Sequence, residues 1–248
     1  MVPFVLAATG FGLLAHAEHS DAAGDPVLCI AHRGGAGSHT EETIGSYTDG
    51  LAITPEVEGD VRFTETGYPM LNHDATLTRF GAPTVSLSTL SVGEAKSHIS
   101  PAGDTMASLY DLRTLLLDNP SVRVQLEMKE TMSAARWDML ASRISVLGNR
   151  VTITSFNLAT VRQAQDRGYR TGLLSADPDI TTAAPVFIQD WTTLEKADVT
   201  EHLNAGVTTQ VYTPDTVTAW GAAYAAGVRT MITNKPADCI NYFGREPQ

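Results

Sequence analysis

From Val27 onward, short β-rich apolar runs alternate with longer stretches of helical spacing, and that alternation leaves few folds open. The expected strands are 27–31, 57–63, 122–128, 151–156, 170–175, 186–189, 208–212 and 230–233. Expected helices fall between them at 41–53, 109–118, 134–147, 158–167, 199–204 and 217–226. The connection between the fifth and sixth strands carries the weakest helical signal. Short links such as Asp166-Arg167-Gly168 and Ala225-Ala226-Gly227 return each helix to the next strand. Eight strands with intervening helices predict an α/β chain, a parallel (β/α)8 barrel (a TIM barrel) built as one domain over residues 26–248. A doubly wound open sheet is the alternative. The chain's 248 residues suit one such barrel without remainder.

The first 25 residues stand apart. Residues 2–17 hold no charged residue, yet they are too few for the ~20 that span a bilayer, so no integral membrane span is expected. They match the apolar region of a signal peptide, with Ala15-His16-Ala17 as a small-x-small cleavage site. A basic leader is missing, since Arg33 is the first basic residue. The expectation is a secreted or extracytoplasmic protein; a stray apolar helix on a cytoplasmic protein is the other reading. Seventeen Lys and Arg against 28 Asp and Glu give a net charge of −11, which repels phosphate backbones and disfavours nucleic acid as a partner. Two cysteines exclude a four-thiolate metal site.

Three clusters of chemically capable residues fall at the ends of the first three strands. His32-Arg33-Gly34-Gly35 follows the first, and its glycines permit a sharp turn close to a ligand. Glu58-Gly59-Asp60 ends the second, with both carboxylates on one face of the strand, and His73 follows Asp60 by 13 residues. Glu127-Met128-Lys129 ends the third, again with both charges on one face. Strand C-termini form the active-site face of such a barrel. Glu58, Asp60 and Glu127 therefore make an oxygen-rich set suited to one hard divalent cation, Mg²⁺ or Ca²⁺. Arg33 and Lys129 beside them fit an anionic ligand, and His32 and His73 fit displacement at phosphorus with one proton acceptor and one donor. Each motif alone is unspecific: Glu-x-Asp is usually solvated and Glu-x-Lys usually a surface ion pair. Their joint placement carries the reading. The other histidines look incidental, with His39 near enough to the first loop for a peripheral role. The long connection over 64–108 would shape the site.

With these residues in view, the chain from about 27 to 242 resembles the glycerophosphodiester phosphodiesterases. The likeness rests on His32-Arg33-Gly34-Gly35, Thr40-Glu41-Glu42-Thr43, Glu58-Gly59-Asp60, Gly67-Tyr68-Pro69 before His73-Asp74, and Gln125-Leu126-Glu127-Met128-Lys129. Ser155-Phe156-Asn157, Val211-Tyr212-Thr213 and Ile232-Thr233-Asn234-Lys235-Pro236 extend it. The resemblance implies a TIM barrel and a divalent cation on Glu58, Asp60 and Glu127. It also implies His32 and His73 as general acid and base, with Arg33, Lys129 and Tyr212 binding the substrate. The implied reaction takes a small glycerophosphodiester to glycerol 3-phosphate and an alcohol, through a cyclic phosphate or by direct attack of water. The family's Pro-Glu-Asn-Thr box here has Thr40 for Pro and Glu42 for Asn, and Tyr212 stands for its usual Trp. Glu42 would cap the first helix against its dipole or alter the substrate pocket.

Two further functions compete: a lipid-directed phospholipase D of the same superfamily, and a non-catalytic ligand-binding barrel. Glu127, where the lipid-directed relatives carry Asp, and Gly67-Tyr68-Pro69 favour the diesterase, and the full set of histidines and carboxylates argues against a decayed site. The cysteines leave a separate question. If His32 points into the barrel, Cys29 points outward toward the helices, near Cys239 early in the last helix. They would either bridge, in an oxidising compartment, or sit as two small buried hydrophobes.

Overall fold

The computed structural model describes residues 26–35, 37–175 and 184–244. The expected leader and most of the connection after 175 lie outside them. The chain opens with β1 (Leu28–Ala31), a single 3-10 turn over His32–Gly34, α1 (Ile44–Ile53) and β2 (Glu56–Phe63). An excursion follows, with β3 (Pro69–Leu71), the hairpin β4 (Thr76–Leu77) and β5 (Ala82–Ser86), and α2 (Val92–Ser97). Then come α3 (Leu109–Asp118), β6 (Arg123–Met128), α4 (Ala134–Ile144), β7 (Val151–Ser155), α5 (Leu158–Gln165) and β8 (Arg170–Ser175). The chain ends through β9 (Val186–Asp190), α6 (Lys196–Asn204), β10 (Thr208–Tyr212), α7 (Val217–Ala226), β11 (Thr230–Thr233) and α8 (Pro236–Phe243).

Eight of these strands, β1, β2 and β6 to β11, pair in parallel in chain order. The ring closes where β1 meets β2 at Ala31 and Val57 and meets β11 along its whole length. The expected barrel is therefore the fold, and the open sheet is not. Each strand buries both faces, which is why the strands read as nearly continuous apolar runs. Inside, Ile30, Leu174, Val186, Ile188 and Ile232 fill the barrel. Outside, Val57, Val61, Leu126 and Ile153 pack under Leu112, Trp137 and Leu140 of α3 and α4.

On the far side, Val211, Met231 and Cys29 pack under Trp220 and Phe243 of α7 and α8. The cysteine question is settled here: Cys29 and Cys239 form a disulfide with a Cα separation of 6.2 Å. It ties β1 to α8, across 210 residues of sequence.

The excursion is a small layer with its own core of Met70, Leu77, Phe80, Leu87 and Met106. Its β3 pairs antiparallel with the end of β2, so the excursion leaves from the C-terminal mouth of the barrel. One boundary differs from expectation near that mouth. The first helix starts at Ile44, not at residue 41, because Glu42 takes a left-handed φ of 63° that no helix continues through. Thr43 caps the helix by accepting from Ser46 N–H.

Candidate active site

The mouth of the barrel holds a cavity of about 240 Å³, lined among others by His32, Arg33, Glu58, His73, Glu127, Lys129 and Tyr212. Seven of the eight site residues expected from the sequence thus line one space. The eighth, Asp60, lies beneath it, 1% exposed, with Arg33 Nε at 3.0 Å and Lys129 Nζ at 3.4 Å. Arg33 contacts Asp60 as an ion pair without hydrogen-bond alignment.

Two glycines make the arrangement possible. Gly34 has a φ of 86°, and a Cβ there would sit 2.7 Å from the Ser46 carbonyl carbon, so only glycine lets the His32-Arg33 turn lie against α1. At Gly59 a Cβ would run into the Tyr47 hydroxyl, so the glycine between the two carboxylates gives that buried hydroxyl its room.

Oxygen atoms of Glu58, Asp60 and Glu127 lie within 4.8 Å of one another. Without a cation between them, burial and then the Asp60 charge push Glu58 well above the usual carboxylate range. The same two causes push Glu127 up to about 7. Asp60 goes the other way: burial opposes its charge, but Lys129 and Arg33 hold it below the ordinary value. Three converging oxygen donors without thiols, two of them pushed toward their neutral form by burial and by Asp60 even with Lys129 at 2.8 Å from Glu127, fit a hard divalent cation. The cluster could coordinate one.

His32 is oriented by a chain of contacts from the opposite end of the sequence. Asp215 accepts from Asn234 Nδ2 at 2.6 Å and from Asn234 N–H at 2.8 Å. That fixes the amide, so Asn234 Oδ1 faces His32 Nδ1 at 2.7 Å and accepts its proton. In neutral His32 the lone pair is then on Nε2, which lies 3.9 Å from Glu58 Oε2. Burial, and then Arg33, lower the His32 pKa and favour that neutral form. His73 comes from the excursion, with Nδ1 at 2.9 Å from Asp74 Oδ1. Tyr212 meets the exposed Phe156 edge to face at 5.9 Å, and Lys129 Nζ lies 5.9 Å over the Phe156 ring.

Glu42 corrects one expectation. Its side chain does not cap α1; it turns inward, 1% exposed, accepting from Asp60 N–H at 2.8 Å and from the Tyr47 hydroxyl. Burial, then the charges of Asp60 and Glu58, raise its pKa well above the usual range. His39 does not line the cavity; it pairs with Asp104 at 2.7 Å. Sequence reasoning assigns no role to Asn234, Asp74 or Glu41, which lie in quoted motifs, nor to Asp215, which lies outside them.

The family model described as Glycerophosphoryl diester phosphodiesterase family matches residues 32–238. The chain belongs to that family. It is a phosphodiesterase-class hydrolase by that membership. Among solved structures, a protein from Galdieria sulphuraria aligns with a TM-score of 0.81 at 20% identity, over 88% of this chain and 99% of its own. A glycerophosphodiester phosphodiesterase from Parabacteroides distasonis aligns with a TM-score of 0.78 at 16% identity, over 88% and 96%. An Oleispira antarctica phosphodiesterase, solved with its product sn-glycerol-3-phosphate, gives 0.76 at 17% identity, over 88% and 96%. At such identities the likeness shows the fold. A search of curated proteins finds no match. Among the described residues, no helix of this family member is long and apolar enough to cross a membrane.

Proposed function

We propose that the protein hydrolyses small, water-soluble glycerophosphodiesters to glycerol 3-phosphate and an alcohol. One observation carries this reading: two histidines, two cations and the three-carboxylate cluster meet at a single cavity on the C-terminal face of the barrel. Glu58, Asp60 and Glu127 would hold one Mg²⁺ or Ca²⁺, which supplies Lewis-acid polarisation of a phosphoryl oxygen. Arg33 and Lys129 orient the phosphate through its non-bridging oxygens. His32 and His73 supply a proton acceptor for the nucleophile and a proton donor for the leaving alkoxide. A cyclic-phosphate route would need the pair to exchange those roles in its second step. Tyr212 and Phe156 border the alcohol side, where the exposed Phe156 leaves the site open to solvent.

The test is product analysis. Glycerophosphocholine should yield glycerol phosphate, and phospholipids in bilayers should stay intact. Cleavage of the bilayer lipid alone would replace this reading with the lipid-directed one.

We also infer export, with residues 1–25 as a signal peptide and short lead-in. The Cys29–Cys239 disulfide supports it, because such bonds persist in oxidising compartments. Cleavage after Ala17 or nearby, seen by N-terminal sequencing of protein from the culture medium, would bear this out.

A further inference from the structure

Of the histidine pair, only His73 does not directly follow a barrel strand. His32 follows β1 directly and the carboxylates and Lys129 stand on or beside β2 and β6, whereas His73 rides on the excursion. Its backbone is pinned: Asn72 N–H donates to Asp60 O at 2.9 Å, and Arg62 Nε donates to His73 O at 2.9 Å. Its ring is held by Asp74 Oδ1. The other oxygen of Asp74 faces Arg79 Nε at 4.0 Å. Arg79, in the turn after β4, also lies against Glu41 Oε1. That same oxygen accepts from Arg33 Nη1 at 2.8 Å, and Arg33 reaches Asp60.

An unbroken run of charge contacts therefore leads from His73 through Asp74, Arg79, Glu41 and Arg33 to Asp60. Arg79 is one of the points where the excursion meets the first loop of the barrel, beside the Asp104 contacts with His39 and Thr40. The Arg79 side chain is 38% exposed and that of Asp74 32%, so solvent screens the pairs and their worth to stability is small. Burial opposes the Asp74 charge, yet the hydrogen bond with His73 and the charge of Arg79 hold it below the ordinary carboxylate range. The pair thus stands behind the ring that faces the cavity while adding little to stability.

We propose that Arg79 is a positioning residue: by holding Asp74 and Glu41 together it fixes His73, on the excursion, opposite His32 and Arg33, on the barrel. The inference rests on the reading of His73 as one of the proton-transfer pair. Small misplacements of a catalytic group cost large factors in rate, and a lost second contact behind the ring is expected to cost roughly tenfold in kcat with KM little changed.

The experiment compares Arg79→Gln, Arg79→Lys and Asp74→Asn, alone and as Arg79→Gln/Asp74→Asn, in the full chain with glycerophosphocholine. Histidine ¹⁵N spectra are recorded in parallel. Arg79→Gln should lose roughly tenfold in kcat at unchanged melting temperature, Arg79→Lys should recover part of it, and the double variant should be no slower than Asp74→Asn. The His73 ring resonances should show Nδ1 protonated in the wild type and a mixture of tautomers in Arg79→Gln. Unchanged His73 resonances in Arg79→Gln would overturn the proposal whatever kcat does. So would a large, equal fall in melting temperature in Arg79→Gln and Arg79→Lys, which would make the residue a strut. If the wild type showed no turnover, the proposed function would fail, and the His73 spectra would still decide the role of Arg79.

Discussion

Replacing both Cys29 and Cys239 by alanine removes a cross-link that closes a loop of 210 residues. In the chain-entropy picture, closing a loop of that length withholds about 5 kcal/mol of conformational freedom from the unfolded chain. Both residues are almost fully buried, at 1% and 0% exposure, between Val211, Met231, Trp220 and Phe243. Deleting the sulfurs from that layer adds a packing loss, while residual structure in the unfolded chain works against the full entropic figure. The net expectation is about 3–5 kcal/mol. With a urea slope of about 2–3 kcal/mol/M, the unfolding midpoint should fall by roughly 1–2 M. The slope itself should rise, because the unfolded chain without its bridge exposes more surface. Urea titrations of oxidised wild type, wild type held in reductant, and the double variant measure all of this. Reduced wild type should track the variant. Coincident midpoints for all three, or two alkylatable thiols in denatured oxidised protein, would refute the reasoning.

Gly59→Ala should cost about 1–3 kcal/mol or more through overpacking against Tyr47, and Tyr47→Phe in the same chain should restore part of it by removing the clashing hydroxyl; thermal melts read both. Because Glu127 holds its proton up to about 7, a cation must displace that proton, so apparent affinity should weaken as pH falls through 7. The sign for stability is the reverse of a normal carboxylate: the folded pKa is the higher one. Without the cation, stability should therefore decline as pH rises from about 4.5 to about 7, which urea midpoints across that window would show. His32→Ala and His73→Ala should each lower kcat by roughly 10²–10⁴ while the far-ultraviolet circular dichroism stays native. Near wild-type kcat in either variant would remove that histidine from the mechanism.

The barrel was legible because all eight of its strands bury both faces and so stand out as apolar runs, whatever their partners. Glu58, Asp60 and Glu127 were legible from strand parity together with their joint placement at the ends of consecutive strands. The inward turn of Glu42 was not, since a left-handed residue just before a helix cap has no sequence signal when it is not glycine or asparagine. Asn234 was not either: its amide reaches His32 across 202 residues, and only closure of β11 onto β1 brings them together. Arg79 lay in the long connection over 64–108, whose hairpin and separate core follow from packing against the mouth of the barrel rather than from any strict period. The disulfide stayed open for the same reason. Two outward positions can be named from a strand and a helix, but their distance depends on how the last helix crosses the barrel seam.

The proposed activity requires the three-carboxylate cavity to hold a divalent cation while it hydrolyses glycerophosphodiesters. The most direct test is release of glycerol phosphate from glycerophosphocholine by purified wild type and Asp60→Asn, first in excess EDTA and then after Mg²⁺ or Ca²⁺ is restored. Wild type should fall silent in chelator and regain turnover with the cation, while Asp60→Asn should need far more cation or fail to recover. Full wild-type turnover in excess EDTA, with no metal detected in the protein, would contradict the account.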